Sequence, residues 1–465
     1  MSGGKLEKGK RAVLSITAQN RRGRRGYTSA VLFEAAKGGE RMGCSVQTCR
    51  AYEEILAEEL VPAMGCTEPI AIAYAGALAR ETLGALPQQL ELTVSHNIIK
   101  NAKSAVVPNT GGLKGLRAAI AAGSVAGCAD KRLEVIAQVD DVQRAAIRTF
   151  LEQCAVNVTP AQGDEVFDIL VEASAGADSA RVQITGGHTN VVLREKNGKV
   201  LYSASAQGTA EKSAAYARLN VEDIYAYATE APLDATWELL ERQIEYNSAI
   251  RDEGLTGKWG AGIGATLRGT DESIKTRAAA AAAAGSDARM SGCELPVVIN
   301  SGSGNQGLTA SLPVIEYAQE LGIERETLHR ALLLSNLLTI HLKTGIGCLS
   351  AYCGAVSAGC AAGAAVAWLH GGDLSAVAHT LVNSLAILSG MVCDGAKPSC
   401  AAKIACAVDS GILGWQMYRN GKQFYGGDGI VTKGVENTIA NVSRMGREGM
   451  RETDREIIHI MLENN

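Results

Sequence analysis

Residues 344–372 read TGIGCLSAYCGAVSAGCAAGAAVAWLHGG, without a single Asp, Glu, Lys or Arg. After Asp373, residues 374–393 read LSAVAHTLVNSLAILSGMVC and are equally uncharged. Two such stretches pose the first question about the fold: a membrane hairpin, or the centre of a helical globular domain. The first stretch is dominated by Ala, Gly, Ser and Cys, which gain little from lipid but let helices approach closely. The favoured reading is therefore a pair of buried core helices.

Outward from this centre, the chain reads helical from about Glu211 to its end. Its landmarks are the run Ala278–Ala284 and the loop NSGSGNQGLTASLP from Asn300. Between about Leu133 and Ser203 the period changes to two. DILVEAS, SARVQIT, TNVVLREK and KVLYSAS alternate and are rich in Val and Ile, with Asn197-Gly198 as a hairpin signal. Nearer the start, CRAYEEILAEEL (Cys49–Leu60) has helical spacing, and Pro62 and Gly65 stop it. A second helix is expected from Thr67-Glu68-Pro69, with Thr67 as its N-cap, to Gly84. The expected class is α+β: a mainly helical domain rich in small residues, which carries the chemistry, and a smaller α/β domain containing an antiparallel sheet. The expected divisions are 1–41, a poorly ordered basic extension; 42–130, the N-terminal helical part of the catalytic region; 131–210, the small α+β domain; and 211–465, the C-terminal helical domain.

The composition agrees with a folded chain. Of 465 residues, 46% are apolar and 20% charged, enough for a large core and against wholesale disorder. A net charge of −4, with no long basic stripe in the body of the chain, argues against a nucleic-acid binder. The first 41 residues stand apart, with 10 Lys and Arg against 3 Asp and Glu. An organelle transit peptide has such a composition, but an extension preceding a start at Met42 is the preferred reading. The 12 cysteines sit mainly in Ala/Gly-rich apolar stretches, and no Leu-rich secretory run precedes them. Reduced thiols in a cytoplasmic protein are expected.

Three motifs could carry chemistry. Cys348, Cys353 and Cys360 lie in the first uncharged stretch; Cys393, Cys400 and Cys406 lie in MVCDGAKPSCAAKIAC. Gly395 and Pro398 forbid a continuous helix between Cys393 and Cys400, so a loop holds two thiols and a helix starts at about Cys400. The spacings miss both paired zinc ligands and ferredoxin runs, so spacing alone leaves metal ligands and small core residues both open. Cys66, in MGCTEP, precedes a helix N-terminus, where the helix dipole would favour a thiolate able to act as nucleophile or base; a structural thiol is the alternative. The loop Ser301–Gly307 offers backbone N–H groups, hydroxyls and amides for a carboxylate, with Ser301, Ser303 and Asn305 as candidate contacts. It lacks the Lys-Ser/Thr of a phosphate loop. His188 in GGHTN is either catalytic or a turn residue bonded locally. His341 and His379 read as satisfied core histidines, and Cys44, Cys49, Cys128, Cys154 and Cys293 as structural.

LVPAMGCTEPIAIAYAGA, from Leu60, resembles the start of the iron–sulfur L-cysteine desulfidases, a family related to the α domain of bacterial iron–sulfur L-serine dehydratases. The resemblance continues through NIIKNAKSAVVPNTGGLKG, GGHTNVVL, SDARMSG, SGSGNQGLTASLP, LSAYCGA, CDGAKPSCAAKIA, GGDGIV and GREGMRETD, from about Met42 to the end. It implies a [4Fe–4S] cluster held by three cysteines with one iron open. Carried over by motif, the ligands are Cys353, Cys393 and Cys400, with Cys348 and Cys360 as alternatives to the first, and Cys66 matches the catalytic base. The CTEP form favours the desulfidase over the serine dehydratase side. The implied activity is β-elimination of L-cysteine to pyruvate, ammonia and hydrogen sulfide. The rivals are L-serine dehydration on the same cluster and a non-catalytic iron–sulfur redox sensor with four protein ligands. A pyridoxal phosphate route is disfavoured, because Lys397 and Lys403 lack a phosphate cradle. The expected partner is a small amino-acid substrate, with no nucleic acid and no membrane, in a chain that could form a homo-oligomer.

Overall fold

The computed structural model describes residues 44–163, 165–204, 214–347 and 349–463. The expected extension at 1–41 and the alternative ligand Cys348 lie outside the described residues. Residues 42–465 form one unit by their internal contacts.

Helix α1 (Val46–Glu59) starts at Ser45, whose side chain accepts from the Thr48 N–H. Strand β1 (Pro62–Met64) leads to helix α2 (Thr67–Leu83), which ends at Gly84 with φ +84°. Cys66, not Thr67, is the N-cap of α2, and it makes no side-chain capping bond. The chain continues through β2 (Gln89–Val94), α3 (His96–Ala102), α4 (Gly115–Ala126), α5 (Asp141–Gln153), β3 (Ala155–Pro160), β4 (Asp168–Ala175), β5 (Asp178–Thr185), β6 (Val191–Lys196) and β7 (Lys199–Ser203). These strands form one sheet in the order β3-β2-β4-β5-β6-β7.

The class is α+β as expected, but the sheet is mixed. β2 pairs parallel with β3, and the other neighbours are antiparallel. A parallel pair needs a crossover, here supplied by α3, α4 and α5, which local alternation in the sequence cannot reveal. The alternation holds in β2, β4 and β5, where Leu90, Leu92, Val94, Ile169, Val171, Val182 and Ile184 are all buried and α2 lies against β4 and β5; it fails in β6, half-buried throughout, and in the edge strand β7, exposed throughout. Asn197 and Gly198 have φ +50° and +76°, as a tight hairpin turn requires.

The second half is helical: α6 (Val221–Glu230), α7 (Trp237–Leu255), α8 (Ile263–Arg268), α9 (Ile274–Met290), a short β8 (Pro296–Val298) paired with β1, α10 (Gly304–Leu321), α11 (Arg325–Thr344), α12 (Gly354–Leu369), α13 (Leu374–Ile387), α14 (Cys400–Arg419), α15 (Val435–Arg444) and α16 (Arg451–Glu463). The opening stretch becomes α12, buried from Ala355 through Leu369. It is enclosed by α10, α11, α13 and α14. Its small residues have a direct physical use. A Cβ on Gly363 would overlap the Gly411 carbonyl, and one on Gly411 would overlap the Gly359 carbonyl. Two backbones cross at a separation that no larger residue permits. Among the described residues, no helix is long and apolar enough to cross a membrane.

Candidate active site

A cavity of about 100 Å³ lies between the two halves of this architecture. Its lining includes the expected base Cys66, the expected substrate contacts Ser301, Ser303 and Asn305, and the three expected ligands Cys353, Cys393 and Cys400; Cys406 is not part of it. Its walls differ in construction.

The first wall carries thiols. Cys353 is the N-cap of α12 and Cys400 the first residue of α14. Tyr352 and Val392 form an antiparallel bridge, the Cys353 N–H donates to Met391 O at 3.1 Å, and the Cys393 N–H donates to Ala351 O at 2.6 Å. Backbone pairing thus sets Cys353 beside Cys393. The loop to Cys400 is held by Asp394, which pairs with both Lys397 and Lys403. Burial alone would raise the Asp394 carboxyl, but the two lysines outweigh it and hold it below its usual value. Burial, then the neighbouring Cys393, pushes the Cys353 thiol up to about 12; burial also raises Cys400. Cys360 is buried inside α12 and does not line the cavity.

The second wall is polar. The loop before α10 places Ser301 at φ +49° and Gly302 at φ +75°, where a Cβ on Gly302 would stand 2.8 Å from His188 Cε1. A buried amide chain holds this loop. Gln243 Nε2 donates to Asn336 Oδ1 at 3.1 Å, Asn336 Nδ2 donates to Gln243 Oε1 at 2.8 Å, and Asn300 Nδ2 donates to Asn336 Oδ1 at 3.0 Å. Ser301 Oγ then donates to Asn300 Oδ1 at 2.8 Å. Gln243, Asn300 and Asn336 are all fully buried.

Cys66 and Glu68 project from the start of α2. Glu68 accepts from Asn101 Nδ2 at 3.1 Å, Thr67 Oγ1 at 3.2 Å and Cys66 Sγ at 3.7 Å, and His188 Nε2 lies 3.8 Å from it. Burial would raise its carboxyl. The His188 ring, its own backbone N–H and Arg289 prevail and hold it down at about 2. The surroundings of Cys66 work against the expected thiolate. Burial, then the Glu68 charge, pushes the thiol well above its usual value, and Arg289 only partly opposes them. The helix terminus favours a thiolate in principle, but desolvation outweighs it in so closed a site.

Sequence reasoning missed Glu68, Asn101, Arg289, Gln306 and Lys343, all of which line the cavity. For His188 it left a catalytic role and a locally bonded turn residue both open. The ring is 9% exposed, edge-on to Phe167 at 4.8 Å, and faces the cavity. The available signal was position: Glu68 follows Cys66 by two residues, and Arg289 ends a helix that carries seven consecutive alanines. His341, by contrast, is paired with Glu436 at 2.8 Å, but it is half-buried and not the core residue expected.

Among the described residues, no three metal-ligating side chains converge on a single ion position. Cys353, Cys393 and Cys400 instead flank a common space, which suits a polynuclear centre whose irons each take their own cysteine. Unpartnered buried polar atoms face the same cavity, among them Asn101 Oδ1, His188 Nε2, Arg289 Nε and Gln306 Oε1. Buried polar atoms without partners are uncommon in native proteins, and their convergence marks a place for a polar ligand.

A family model described as serine dehydratase alpha chain matches residues 130–459. A UPF0597 protein of Desulfitobacterium hafniense is 56% identical over 415 residues, covering 89% of this chain and 96% of that protein. UPF0597 proteins of Finegoldia magna and Treponema denticola are 48% and 43% identical, covering 99% and 98% of their lengths. With its cavity described and these matches spanning most of its length, the chain belongs to the serine dehydratase alpha-chain family.

Proposed function

We propose that this chain is a lyase that eliminates the β-substituent of a small L-amino acid, with L-cysteine as substrate and pyruvate, ammonia and hydrogen sulfide as products. Cys353, Cys393 and Cys400 would hold a [4Fe–4S] cluster with one iron left for substrate. The observation that carries the reading is the meeting of these thiols, Cys66 and the Ser301–Asn305 loop on one cavity. The bound cluster would act as a Lewis acid toward the leaving group.

The protein's own residues divide the remaining work. Ser301, Ser303 and the N-terminus of α10 hold the substrate carboxylate, the charge that a helix start favours. Asn305 supports them from the first turn. Cys66 takes the α-proton, and it must be a thiolate when it does so. A cationic ammonium next to Glu68 would offset the negative charge that helps to keep the thiol protonated. Enclosure by the two walls keeps bulk water from the α-carbon. The released enamine needs only water to become pyruvate and ammonia.

L-serine is the second reading, favoured by the name of the matched family. A non-catalytic four-ligand cluster is a third, because Cys66 packs near Cys400. Anaerobically prepared protein should release pyruvate and sulfide from L-cysteine faster than pyruvate from L-serine. Cys66→Ala should keep its iron and lose about 10²–10⁴-fold in turnover, the usual contribution of a general base. Turnover of neither amino acid, or undiminished turnover in Cys66→Ala, would refute the proposal. Iron loss in Cys66→Ala would favour the four-ligand centre.

A further inference from the structure

Resting on that reading, we propose that Arg289 and Glu68 are the two charged anchors of a zwitterionic α-amino acid, Arg289 binding its carboxylate and Glu68, with Asn101, its ammonium.

Arg289 is only 3% exposed. Its Nη1 donates to Asn305 Oδ1 at 3.1 Å, and its Nε has no partner. Among the described residues no carboxylate forms an ion pair with it. A buried guanidinium without an anion is unfavourable, and a planar carboxylate fits its fork with two parallel bonds. Arg289 also lies over the first turn of α10. A Cβ on Gly304 would overlap its Nε, so the glycine makes room for the guanidinium. The anion-favouring helix start, Ser303 and Asn305 therefore share the Arg289 side of the cavity.

The opposite charge faces the same space. Glu68 is 7% exposed, and the one basic group within ion-pair distance of it among the described residues is the His188 ring at 3.8 Å; the Arg289 charge acts on it from farther away. The surrounding amides are oriented by what they touch. Asn101 must turn its Nδ2 to the Glu68 carboxylate and Gln306 its Nε2 to the Ser301 carbonyl at 3.4 Å. The atoms left without partners are then oxygens, Asn101 Oδ1 and Gln306 Oε1. An ammonium has three donors and no acceptor, and the Glu68 carboxylate with the unused Asn101 oxygen beside it is its complement; the Gln306 oxygen lies by Gly354 on the same cavity. Arg289 and Glu68 make no ion pair with each other. A singly charged ligand would leave one of them buried and unpaired; a zwitterion satisfies both.

The test is binding, read by calorimetry on the intact anaerobic protein with three probes. L-alanine carries both charges and no leaving group, 3-mercaptopropionate lacks the ammonium, and cysteamine lacks the carboxylate. Arg289→Gln should weaken L-alanine and 3-mercaptopropionate at least tenfold and leave cysteamine within twofold. Glu68→Gln should weaken L-alanine and cysteamine and spare 3-mercaptopropionate. Arg289→Lys should recover part of the affinity for the two carboxylate probes. A variant that misfolds loses all three probes, and circular dichroism of each variant identifies it; Arg289→Lys and Glu68→Asp then replace it in the same crossover. Folded variants that weaken all three probes alike, or none, overturn the assignment. The crossover pattern together with no turnover of L-cysteine or L-serine would refute the elimination reading and leave this one standing.

Discussion

The two walls of the cavity are built by different means. The thiol wall is set by backbone pairing: the Tyr352–Val392 bridge aligns Cys353 with Cys393, and Cys400 begins a helix. The polar wall is set by side chains: Gln243, Asn336 and Asn300 hold Ser301 in a conformation that few non-glycine residues adopt. If the thiol wall holds a rigid inorganic group, as proposed, it can rely on the main chain for it. A wall that must match the charges of a substrate needs side chains, and each of those is a separate point of failure.

The largest break is at the thiols. Cys393→Ser and Cys400→Ser should each abolish iron binding, measured as iron per chain, while the fold persists by circular dichroism. Next is Asn336→Ala. It leaves buried groups of Gln243 and Asn300 unpaired, at about 1–3 kcal/mol each, and should raise KM by freeing the Ser301 loop; chemical denaturation and steady-state kinetics read the two effects. Gly411→Ala acts behind the thiol wall, where α12 and α14 cross. It should cost about 1–3 kcal/mol as overpacking, visible as a lower Tm, with iron stoichiometry preserved in the folded fraction. Smallest is Cys360→Ala, a buried thiol outside the cavity. It should cost about 1 kcal/mol and leave iron content unchanged; iron loss there would move the first ligand from Cys353 to Cys360.

Much of the thiol wall was legible in the sequence, and little of the polar wall. The loop between Cys393 and Cys400 follows from Gly395 and Pro398, and α14 begins at Cys400 as those residues require. The small-residue stretch correctly pointed to a buried helix, because an element apolar on every side must be enclosed. The amide chain was invisible, since Gln243 and Asn336 are 93 residues apart and neither belongs to a local motif. The parallel β2–β3 pair was missed for a related reason: alternation reports which face is buried, not which strand is the neighbour. At Cys66 the sequence showed the helix terminus but not the cover above it. The cover, with Glu68 beside it, pushes the thiol up. Arg289 and Glu68 looked like ordinary helix residues until the fold turned both toward one space.

The most direct test of the central claim, that cluster thiols and amino-acid contacts share one cavity, is the Mössbauer spectrum of anaerobic, iron-57-labelled protein with and without L-cysteine. The account predicts a [4Fe–4S] signature in which a single iron subsite changes its parameters when L-cysteine is added, while the others stay as they were. A spectrum without a cluster, or a cluster whose irons are all indifferent to saturating L-cysteine and L-serine, would contradict it.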